Sequence, residues 1–406
     1  LFVGLTTLII GQYLKLNFPS LIIFITSLAL SDYLRSNVLT GFPWNLWAYS
    51  TIQINEILQI TNQIGLYSYN LFVITIFTLP IIYFFKISKI KKIISFIVIF
   101  FIIFNLYIYG NYEVNKNKKS LESVKEKIYV KVISPNFNLE YGLTDQEIEK
   151  RFRKLIKYSD PDQGKETLFV WPEGVFSGYS YNEILPFKDL ILNNFSNKHY
   201  IVFGVNKLDP ISGKFYNSML VINNKLEIIQ SYNKRKLVPF GEFLPFENIV
   251  SKLGLKKITE GHGSFLKGEN NNSLVIEGIK ILPLICYEII FPDLIQKSDT
   301  NTNLIVNISE DGWFGNSIGP DQHFAKAIFR AIENNTFLLR STNQGVSAII
   351  DNKGNLIKKI NRNEAGNIEF EVPLVKSNKI KNDLIFFTLL ITYLLIFLIY
   401  KKQNAK

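Results

Sequence analysis

Long apolar runs lie toward the two ends of the chain, whereas the middle alternates short apolar runs with polar residues. The segments 67–85 and 93–109 approach the ~20 apolar residues that a helix needs to cross a bilayer. Residues 384–400 form a last such segment, residues 1–14 look like the tail of a hydrophobic helix, and the run 21–30 could extend upstream to span. The pattern predicts a polytopic α-helical membrane region. Because the segments are several and one is C-terminal, a cleaved signal peptide is disfavoured.

Lysines indicate which ends of these segments face the cytoplasm. The short loop 86–92 carries four of them: Lys86, Lys89, Lys91 and Lys92. Further lysines follow the last apolar segment, in residues 401–406. Loops rich in lysine and arginine stay on the cytoplasmic side of a membrane. The sequence therefore predicts that residues 86–92 and 401–406 lie inside, and that residues 31–66 and 111–382 lie outside.

Residues 111–382 have the pattern of an α/β domain, in which short β-rich runs alternate with helical or polar segments. Glycine and asparagine mark tight turns, as in residues 351–355. The predicted strands are 128–133, 168–171, 200–205, 218–222, 279–285, 304–308 and 346–350. The predicted helical or polar segments include 144–158, 182–194 and 322–334. This order predicts an α/β sandwich large enough to bury its own core.

These patterns divide the chain into three parts. Residues 1–110 form a membrane region that includes the outer loop 31–66. Residues 111–382 form the α/β domain, and residues 383–406 form a C-terminal transmembrane helix with a cytoplasmic tail. The chain opens without an initiator methionine, and we expect that part of the membrane region is missing upstream.

Composition narrows the choice of partners. The formal charge is +11 and 47% of the residues are hydrophobic, but no basic stretch forms a recognisable nucleic-acid-binding module. An anionic phospholipid surface is the better partner for that charge. The single cysteine excludes an internal disulfide and any multi-cysteine zinc site, and the three histidines lie far apart in sequence. We therefore expect no metal, no cofactor and no nucleic acid.

The single cysteine, Cys286, ends an apolar, β-prone run, and Glu288 follows two residues later. Catalytic nucleophiles tend to lie at such strand ends. The alternative is a buried structural cysteine, since a free cysteine packs like a small hydrophobic residue.

Two further strand ends carry charged residues. Glu173 follows the predicted strand 168–171 and could accept the proton of a thiol; the alternative is a turn glutamate in solvent. Lys234 follows an apolar run, and a lysine near a nucleophile can stabilise the oxyanion of a tetrahedral intermediate. The alternative here is a solvated basic cluster, although the apolar, proline-containing continuation 237–240 favours a packed segment.

Glu, Lys and Cys at strand ends, in this order, are similar to the site of the nitrilase superfamily. The motifs around them resemble those of the apolipoprotein N-acyltransferase family, the membrane-embedded branch of that superfamily. These motifs are Trp171-Pro172-Glu173, Tyr232-Asn233-Lys234 with Leu237-Val238-Pro239-Phe240-Gly241-Glu242, Cys286-Tyr287-Glu288, Asp311-Gly312-Trp313-Phe314-Gly315, Gly319-Pro320-Asp321-Gln322-His323-Phe324 and Arg340-Ser341-Thr342-Asn343. Upstream, Tyr33-Leu34-Arg35 and Thr40-Gly41-Phe42-Pro43-Trp44 match that family's membrane part. The resemblance implies a nitrilase-like α-β-β-α sandwich inserted between the transmembrane helices of a polytopic region.

The resemblance also implies an activity, the last step of bacterial lipoprotein maturation. Such an enzyme takes an acyl chain from a phospholipid, commonly phosphatidylethanolamine, onto its cysteine as a thioester. It then passes the chain to the α-amino group of a lipoprotein's N-terminal diacylglyceryl-cysteine. The implied location is the bacterial inner membrane, with the catalytic domain on the periplasmic face.

The family's functional residues are carried over by motif. Cys286 matches the nucleophile, Glu173 the base and Lys234 the oxyanion partner. Glu242 matches a second, supporting glutamate. In addition, Tyr287 and Glu288 match positions that the family needs beside the nucleophile.

The chain departs from the family at two positions. Tyr141 is the nearest match where the family often has a tryptophan, and Glu310 stands where it often has an asparagine. We also count fewer transmembrane helices than the family's eight, which a missing N-terminal part would explain. Two apolar segments, 176–181 and 240–255, are candidate lids, with ordinary loop packing as the alternative. We expect His323 to be a structural hydrogen-bonding residue.

Two competing functions remain open at this stage. The first is a membrane-tethered, nitrilase-type amidase that hydrolyses a small amide, which the polytopic region and the Gly-Phe-Pro-Trp loop disfavour. The second is an inactive domain that acts as a lipoprotein-binding or scaffolding module. The presence of Glu173, Lys234 and Cys286 disfavours that second reading.

Overall fold

The structure, a computed structural model, describes residues 1–247, 263–269, 273–296, 301–377 and 383–403. The chain divides into two compact units. The first, called the helical unit below, comprises Leu1–Glu122, Ile290–Gln296 and Lys379–Lys406. The second, called the sandwich unit, comprises Ser123–Ile289 and Lys297–Asn378.

The helical unit consists of α-helices and short 3₁₀ turns. Its helices, numbered in chain order, are α1 (Phe2–Ile10), α2 (Phe18–Asn37), α3 (Asn55–Leu58), α4 (Thr61–Ile64), α5 (Leu66–Thr78), α6 (Lys89–Glu122), α10 (Pro292–Gln296) and α12 (Asp383–Gln403). Among the described residues, four segments are long and apolar enough to cross a membrane: Phe18–Asn37, Leu66–Phe84, Lys89–Glu122 and Asp383–Lys402. These segments coincide with four of the predicted apolar runs, and the fifth run, 1–14, contains a shorter apolar helix.

Helix α6 extends further than the sequence pattern predicts. The apolar run ends at residue 109, but the helix continues to Glu122. Residues 111–122 are polar and rich in lysine, and lysine and glutamate are good helix formers in water. The last turns of α6 therefore belong to the helical unit, although the sequence pattern assigns residues from 111 onward to the α/β domain.

A buried charge connects two helices of the helical unit. Asp32 of α2 accepts hydrogen bonds from Arg35 Nη2 at 2.8 Å and from Asn70 Nδ2 of α5 at 2.9 Å. Arg35 Nη2 also donates to Asn45 O at 2.9 Å. A charge among apolar helices is costly unless it is paired, so these contacts explain how α2 tolerates Asp32.

The described residues of the sandwich unit form two six-stranded sheets. The strands are β1 (Lys127–Ser134), β2 (Thr167–Val170), β3 (His199–Leu208), β4 (Phe215–Ile222), β5 (Ile228–Asn233), β6 (Leu274–Ile276), β7 (Ile279–Ile285), β8 (Leu304–Glu310), β9 (Phe337–Asn343), β10 (Ser347–Ile350), β11 (Leu356–Ile360) and β12 (Gly366–Pro373). The strand order is β12-β1-β2-β3-β4-β5 in one sheet and β11-β10-β9-β8-β7-β6 in the other. The described helices of this unit are α7 (Asp145–Ser159), α8 (Tyr181–Ile184), α9 (Lys188–Leu192) and α11 (Gly319–Asn334).

Each sheet has a parallel centre. Strands β1, β2 and β3 run parallel to one another, as do β7, β8 and β9. Strand β5 is antiparallel to β4, which is antiparallel to β3, so β5 runs in the direction of β2. In α/β sheets, ligand sites lie beyond the carboxyl ends of such strands. A functional site is therefore expected among the residues that follow β2, β5 and β7.

Helix α7 illustrates how local sequence and packing agree. Thr144 and Glu147 form a capping box: Glu147 N donates to Thr144 Oγ1, and Thr144 N donates to Glu147 Oε2 at 2.7 Å. The buried positions Ile148, Phe152 and Leu155 recur at helical spacing and belong to the hydrophobic core with residues of the first sheet. Amphipathic periodicity of this kind makes a helix predictable from sequence.

The predicted helical or polar segment 182–194 is not one continuous helix. The chain instead forms α8, a 3₁₀ turn at Leu185–Phe187, and α9. Pro186 lies in that turn, and proline has no N–H to continue an α-helical ladder. The sequence pattern gave no bounds for β6, β9, β11 and β12: β6 has only three residues, and polar residues interrupt the apolar pattern of the other three. The end of β5 was expected at Lys234, without bounds for the strand. Every side chain of β9 is buried, including Arg340 and Asn343.

Candidate active site

Three strand ends of the sandwich unit bring the predicted Glu, Lys and Cys together. Glu173 follows β2, Lys234 follows β5 and Cys286 follows β7. Lys234 Nζ lies 3.5 Å from Glu173 Oε1. The Cys286 thiol is close enough to both side chains for their charges to shift its pKa. The two sheets therefore each contribute to one cluster of a thiol, a carboxylate and an ammonium group.

Lys234 is buried and ion-paired, with 1% of its surface exposed. Its Nζ donates to Glu242 Oε1 at 2.9 Å. Burial by itself would lower the pKa of Lys234, but the charges of Glu173 and Glu242 outweigh burial and raise it above its ordinary value. Lys234 therefore stays protonated at neutral pH and is not a solvated basic residue.

Both oxygens of Glu173 are held by donors. Asn217 Nδ2 donates to Oε1 at 2.7 Å, and the main-chain N–H of Glu310 donates to Oε2 at 3.1 Å. The backbone of β3 packs closely against Glu173 at Gly204. A Cβ at that position would lie only 2.9 Å from Glu173 Cα, so a residue with a side chain would not fit there. Glu173 is also mostly buried, so the alternative of a turn glutamate in solvent is excluded.

Asn217 is a site residue that the sequence analysis did not identify. Its Nδ2 donates to Glu173 Oε1 and also to Glu242 Oε1, each at 2.7 Å. Glu242 in turn accepts from Val238 N at 2.8 Å. Asn217 thus spaces two carboxylates around the ammonium of Lys234. A polar residue inside the buried strand β4 was the only sequence signal for it.

Cys286 occupies a strained turn. Its φ is +47°, a left-handed conformation that is uncommon for residues other than glycine, asparagine and aspartate and that costs free energy unless the surroundings hold it. The side chain is half-buried. Burial raises the pKa of Cys286, the charge of Glu173 raises it further, and the charge of Lys234 opposes both effects. The resting site therefore combines a neutral thiol with a carboxylate that can accept its proton.

Glu288 connects the segments that carry Lys234 and Cys286. Its Oε1 accepts from Tyr232 Oη at 2.8 Å and from Arg235 N at 2.7 Å, and its Oε2 accepts from Ile285 N at 2.9 Å. Burial raises the pKa of Glu288, and these hydrogen bonds oppose the rise. Glu288 thus ties together the ends of β5 and β7, while the adjacent Tyr287 is buried.

The two candidate lids differ. Phe176 is buried in the core, with its ring 4.3 Å from that of Phe152, and Tyr179 donates a hydrogen bond to Leu143 O. Segment 176–181 is therefore packed as an ordinary loop. In the second segment, Phe240 and Phe246 are exposed, while residues 248–255 lie outside the described residues.

The two positions that depart from the family pattern lie close to this site. Tyr141 is partly exposed, and its ring centroid is 5.9 Å from that of Trp313. Glu310 is buried, and it accepts from Gly312 N at 2.8 Å and from Asn343 Nδ2 at 2.7 Å. Burial raises the pKa of Glu310 to about 8, and the charges of Glu173 and Asp311 add to the rise.

Glu310→Gln should change how stability depends on pH. The folded-state pKa of Glu310 is about 8, above its ordinary 4.5. The contribution of Glu310 to stability is therefore fully present below 4.5 and is lost as the pH rises through 8. We expect the melting temperature of the variant, relative to wild type, to rise between about pH 5 and about pH 8. Glu166→Gln, at an exposed position, is the control, and parallel pH curves for Glu310→Gln and wild type would contradict the assignment.

Comparison with known proteins identifies the class of the sandwich unit. Residues 142–382 match the family model described as carbon-nitrogen hydrolase, so the predicted nitrilase-like α/β fold is confirmed. Residues 1–79 match the model described as apolipoprotein N-acyltransferase N-terminal domain. The chain belongs to the apolipoprotein N-acyltransferase family.

Two relatives named apolipoprotein N-acyltransferase show the extent of this similarity. The protein of Rhizobium rhizogenes is 31% identical over 84% of this chain and 65% of its own length. That of Rickettsia prowazekii is 30% identical over 87% of this chain and 70% of its own length. The chain thus spans about two thirds of the length of the curated relatives it matches.

A solved structure, Nit3 of Saccharomyces cerevisiae, is described as a member of branch 10 of the nitrilase superfamily. It is 18% identical with a TM-score of 0.45, and the match covers 62% of this chain and 91% of Nit3.

Proposed function

We propose that this protein transfers an acyl chain from a phospholipid, through a thioester on Cys286, to the α-amino group of N-terminal diacylglyceryl-cysteine in apolipoproteins. One observation carries the proposal. A single chain combines a buried Glu–Lys–Cys cluster in a carbon-nitrogen hydrolase domain with a helical unit that matches the N-terminal domain of apolipoprotein N-acyltransferases. A hydrolase of small soluble amides has no need of that second part.

The first half-reaction forms the thioester. Glu173 takes the thiol proton, and the Cys286 sulfur attacks the ester carbonyl carbon of the phospholipid. The carbonyl π electrons move onto oxygen, where the Lys234 ammonium stabilises the negative charge. When the intermediate collapses, the carbon–oxygen bond to the glycerol breaks. The lysophospholipid leaves with the proton that Glu173 held, so that Glu173 is a carboxylate again.

The second half-reaction transfers the acyl chain. The α-amino nitrogen of the acceptor attacks the thioester carbonyl carbon, Glu173 accepts the amine proton, and the thiolate leaves and regains that proton. Asn217 and Glu242 hold Glu173 and Lys234 in place throughout. We propose phosphatidylethanolamine as the usual donor, because the family resemblance implies it, and no cofactor takes part in either half-reaction.

A lipopeptide assay tests the proposed function. The purified chain would be given phosphatidylethanolamine vesicles and a synthetic peptide that begins with diacylglyceryl-cysteine. We expect the peptide to gain the mass of one acyl chain on its α-amino group, and we expect no gain with Cys286→Ser. Release of free fatty acid without any acylated peptide would contradict the transferase.

We further propose that the chain is a multi-pass protein of the bacterial inner membrane, with residues 31–66 and 111–382 on the periplasmic face. Helix α6 supports this arrangement. It has 34 residues, which at 1.5 Å per residue is about 50 Å, well beyond the ~30 Å of a hydrocarbon core. Lysines precede its apolar part, which favours a cytoplasmic start.

Cysteine labelling tests the orientation at the two ends of α6. Ser88→Cys and Ser120→Cys would each be made in a Cys286→Ala background, which leaves one thiol per protein. An impermeant thiol reagent added from the periplasmic side should label residue 120 and not residue 88, and permeabilised cells should label both. Equal labelling of both positions in intact cells would contradict the proposed orientation.

A further inference from the structure

A buried polar cluster lies behind the nucleophile and reaches it only through the main chain. His323 of α11 has its Nε2 3.1 Å from Cys286 O. Its Nδ1 is 2.9 Å from Asp311 Oδ1 and 3.1 Å from Arg340 Nη2. At most 1% of the surface of Asp311, His323 and Arg340 is exposed. A carbonyl oxygen can only accept a hydrogen bond, so Nε2 carries a hydrogen and donates it to Cys286 O.

The rest of the cluster fixes the imidazole ring. Arg340 Nη2 donates to Asp311 Oδ2 at 2.8 Å, and Ser309 Oγ donates to Asp311 Oδ1 at 2.7 Å. Burial would raise the pKa of Asp311, but the Arg340 guanidinium beside it outweighs burial and holds that pKa well below its ordinary value. With its hydrogen on Nε2, the His323 ring can accept at Nδ1 from Arg340 Nη2, and Asp311 holds that guanidinium in turn.

The carbonyl of Cys286 and the N–H of Tyr287 belong to the same peptide unit. In a planar trans peptide these two groups point in opposite directions, and no cis peptide occurs among the described residues. A hydrogen bond that fixes the carbonyl therefore fixes the direction of the N–H. The hydrogen bond from His323 matters for the backbone because Cys286 has a φ of +47°, a conformation that persists only when its surroundings hold it.

We propose that His323 is a positioning residue for the oxyanion site. By holding the Cys286 carbonyl on one side, it aims the Tyr287 N–H at the oxygen on which negative charge develops, beside Lys234. His323 does not touch the reacting atoms, and both of its ring nitrogens are occupied within the cluster. This inference rests on the acyl transfer proposed above, because an oxyanion forms only when a carbonyl is attacked.

The test compares two variants of His323, His323→Gln and His323→Asn, whose side-chain amides differ in length. Glutamine at position 323 can place an N–H where Nε2 lies, whereas asparagine is one methylene shorter and reaches only the Nδ1 position. Two rates at the single cysteine would be measured, thioester formation with phosphatidylethanolamine vesicles and alkylation by iodoacetamide. Alkylation displaces iodide at a saturated carbon and forms no oxyanion, so it reports thiol access, thiolate formation and fold, but not oxyanion stabilisation.

We expect His323→Asn to lower the rate of thioester formation by about 10²- to 10³-fold, the usual loss for one oxyanion donor, and to leave the alkylation rate almost unchanged. His323→Gln should retain thioester formation to within about tenfold, since its donor is restored. His199→Asn is the matched control: His199 is also buried and bonded through both nitrogens, to Ser196 N and Asp162 O. It should affect neither rate.

Three outcomes would overturn the inference: unchanged thioester formation in His323→Asn, an equal loss of both rates, or a loss in His323→Gln as large as in His323→Asn. If His323→Asn does not fold, His323→Gln decides, because a hundredfold loss with normal alkylation would also overturn it. Failure of the proposed function is recognised separately, since wild type itself would then form no thioester.

Discussion

Cys286→Ala, Glu173→Gln and Lys234→Ala are each expected to lower acyl transfer by about 10⁴-fold or more. Cys286→Ala removes the atom that carries the acyl chain. Glu173→Gln keeps the shape but removes the base, and burial raises the pKa of Cys286, so the thiol does not ionise unaided. Lys234→Ala removes the cation that pairs with Glu173 and Glu242 and that would stabilise the oxyanion of the intermediate.

Residues that act as a unit are not additive, so double variants should be no slower than the slowest single variant. Lys131→Ala is the control for loss of a buried lysine, because Lys131 in β1 is also buried and donates to Asp160 O. Transfer rates would be measured at matched protein amounts, with melting temperatures to verify the fold. A folded variant of Cys286, Glu173 or Lys234 that transfers at nearly the wild-type rate would remove that residue from the mechanism.

Purified protein given phospholipid without an acceptor should release about one equivalent of lysophospholipid and then stall as an acyl-enzyme. A transferase must exclude water from its thioester, since each hydrolysed acyl chain is a failed turnover. Burial of Glu173 and Lys234 and the half-burial of Cys286 support such exclusion. Phe240 and Phe246 remain exposed and available to contact lipid.

Intact-protein mass measures this stall as one added acyl chain that hydroxylamine removes. A peptide with a free N-terminal diacylglyceryl-cysteine should discharge the thioester, and the same peptide with an acetylated α-amino group should not. Continuous release of fatty acid in the absence of acceptor would mean that the protein is a hydrolase. The stall thus distinguishes the transferase from the membrane-tethered amidase considered above.

Glu173, Lys234 and Cys286 were recognisable because each follows an apolar run, and a reactive residue at the end of such a run can be seen in the sequence alone. Glu242 and Glu288 were expected from the family resemblance, and His323 was expected only as a hydrogen-bonding residue, but Asn217 was not identified. Asn217 lies within β4, and its role depends on which strands become neighbours. His323 and Arg340 are 37 and 54 residues beyond Cys286 in the chain, and contact is made only when α11 and β9 pack beside β8. Spacing in the sequence carries no information about such contacts.

The sequence by itself determined the apolar segments, the α/β character of the middle of the chain and the three charged or reactive strand ends, because these depend on local periodicity and residue type. Tertiary structure alone decided the electrostatic state of the site. Whether Glu173 is solvated or held by Asn217, and whether Lys234 is exposed or ion-paired, depends on burial and on neighbours from distant strands. The protonation of a side chain depends on its burial and on its distance from other charges, and both are set only when the chain folds.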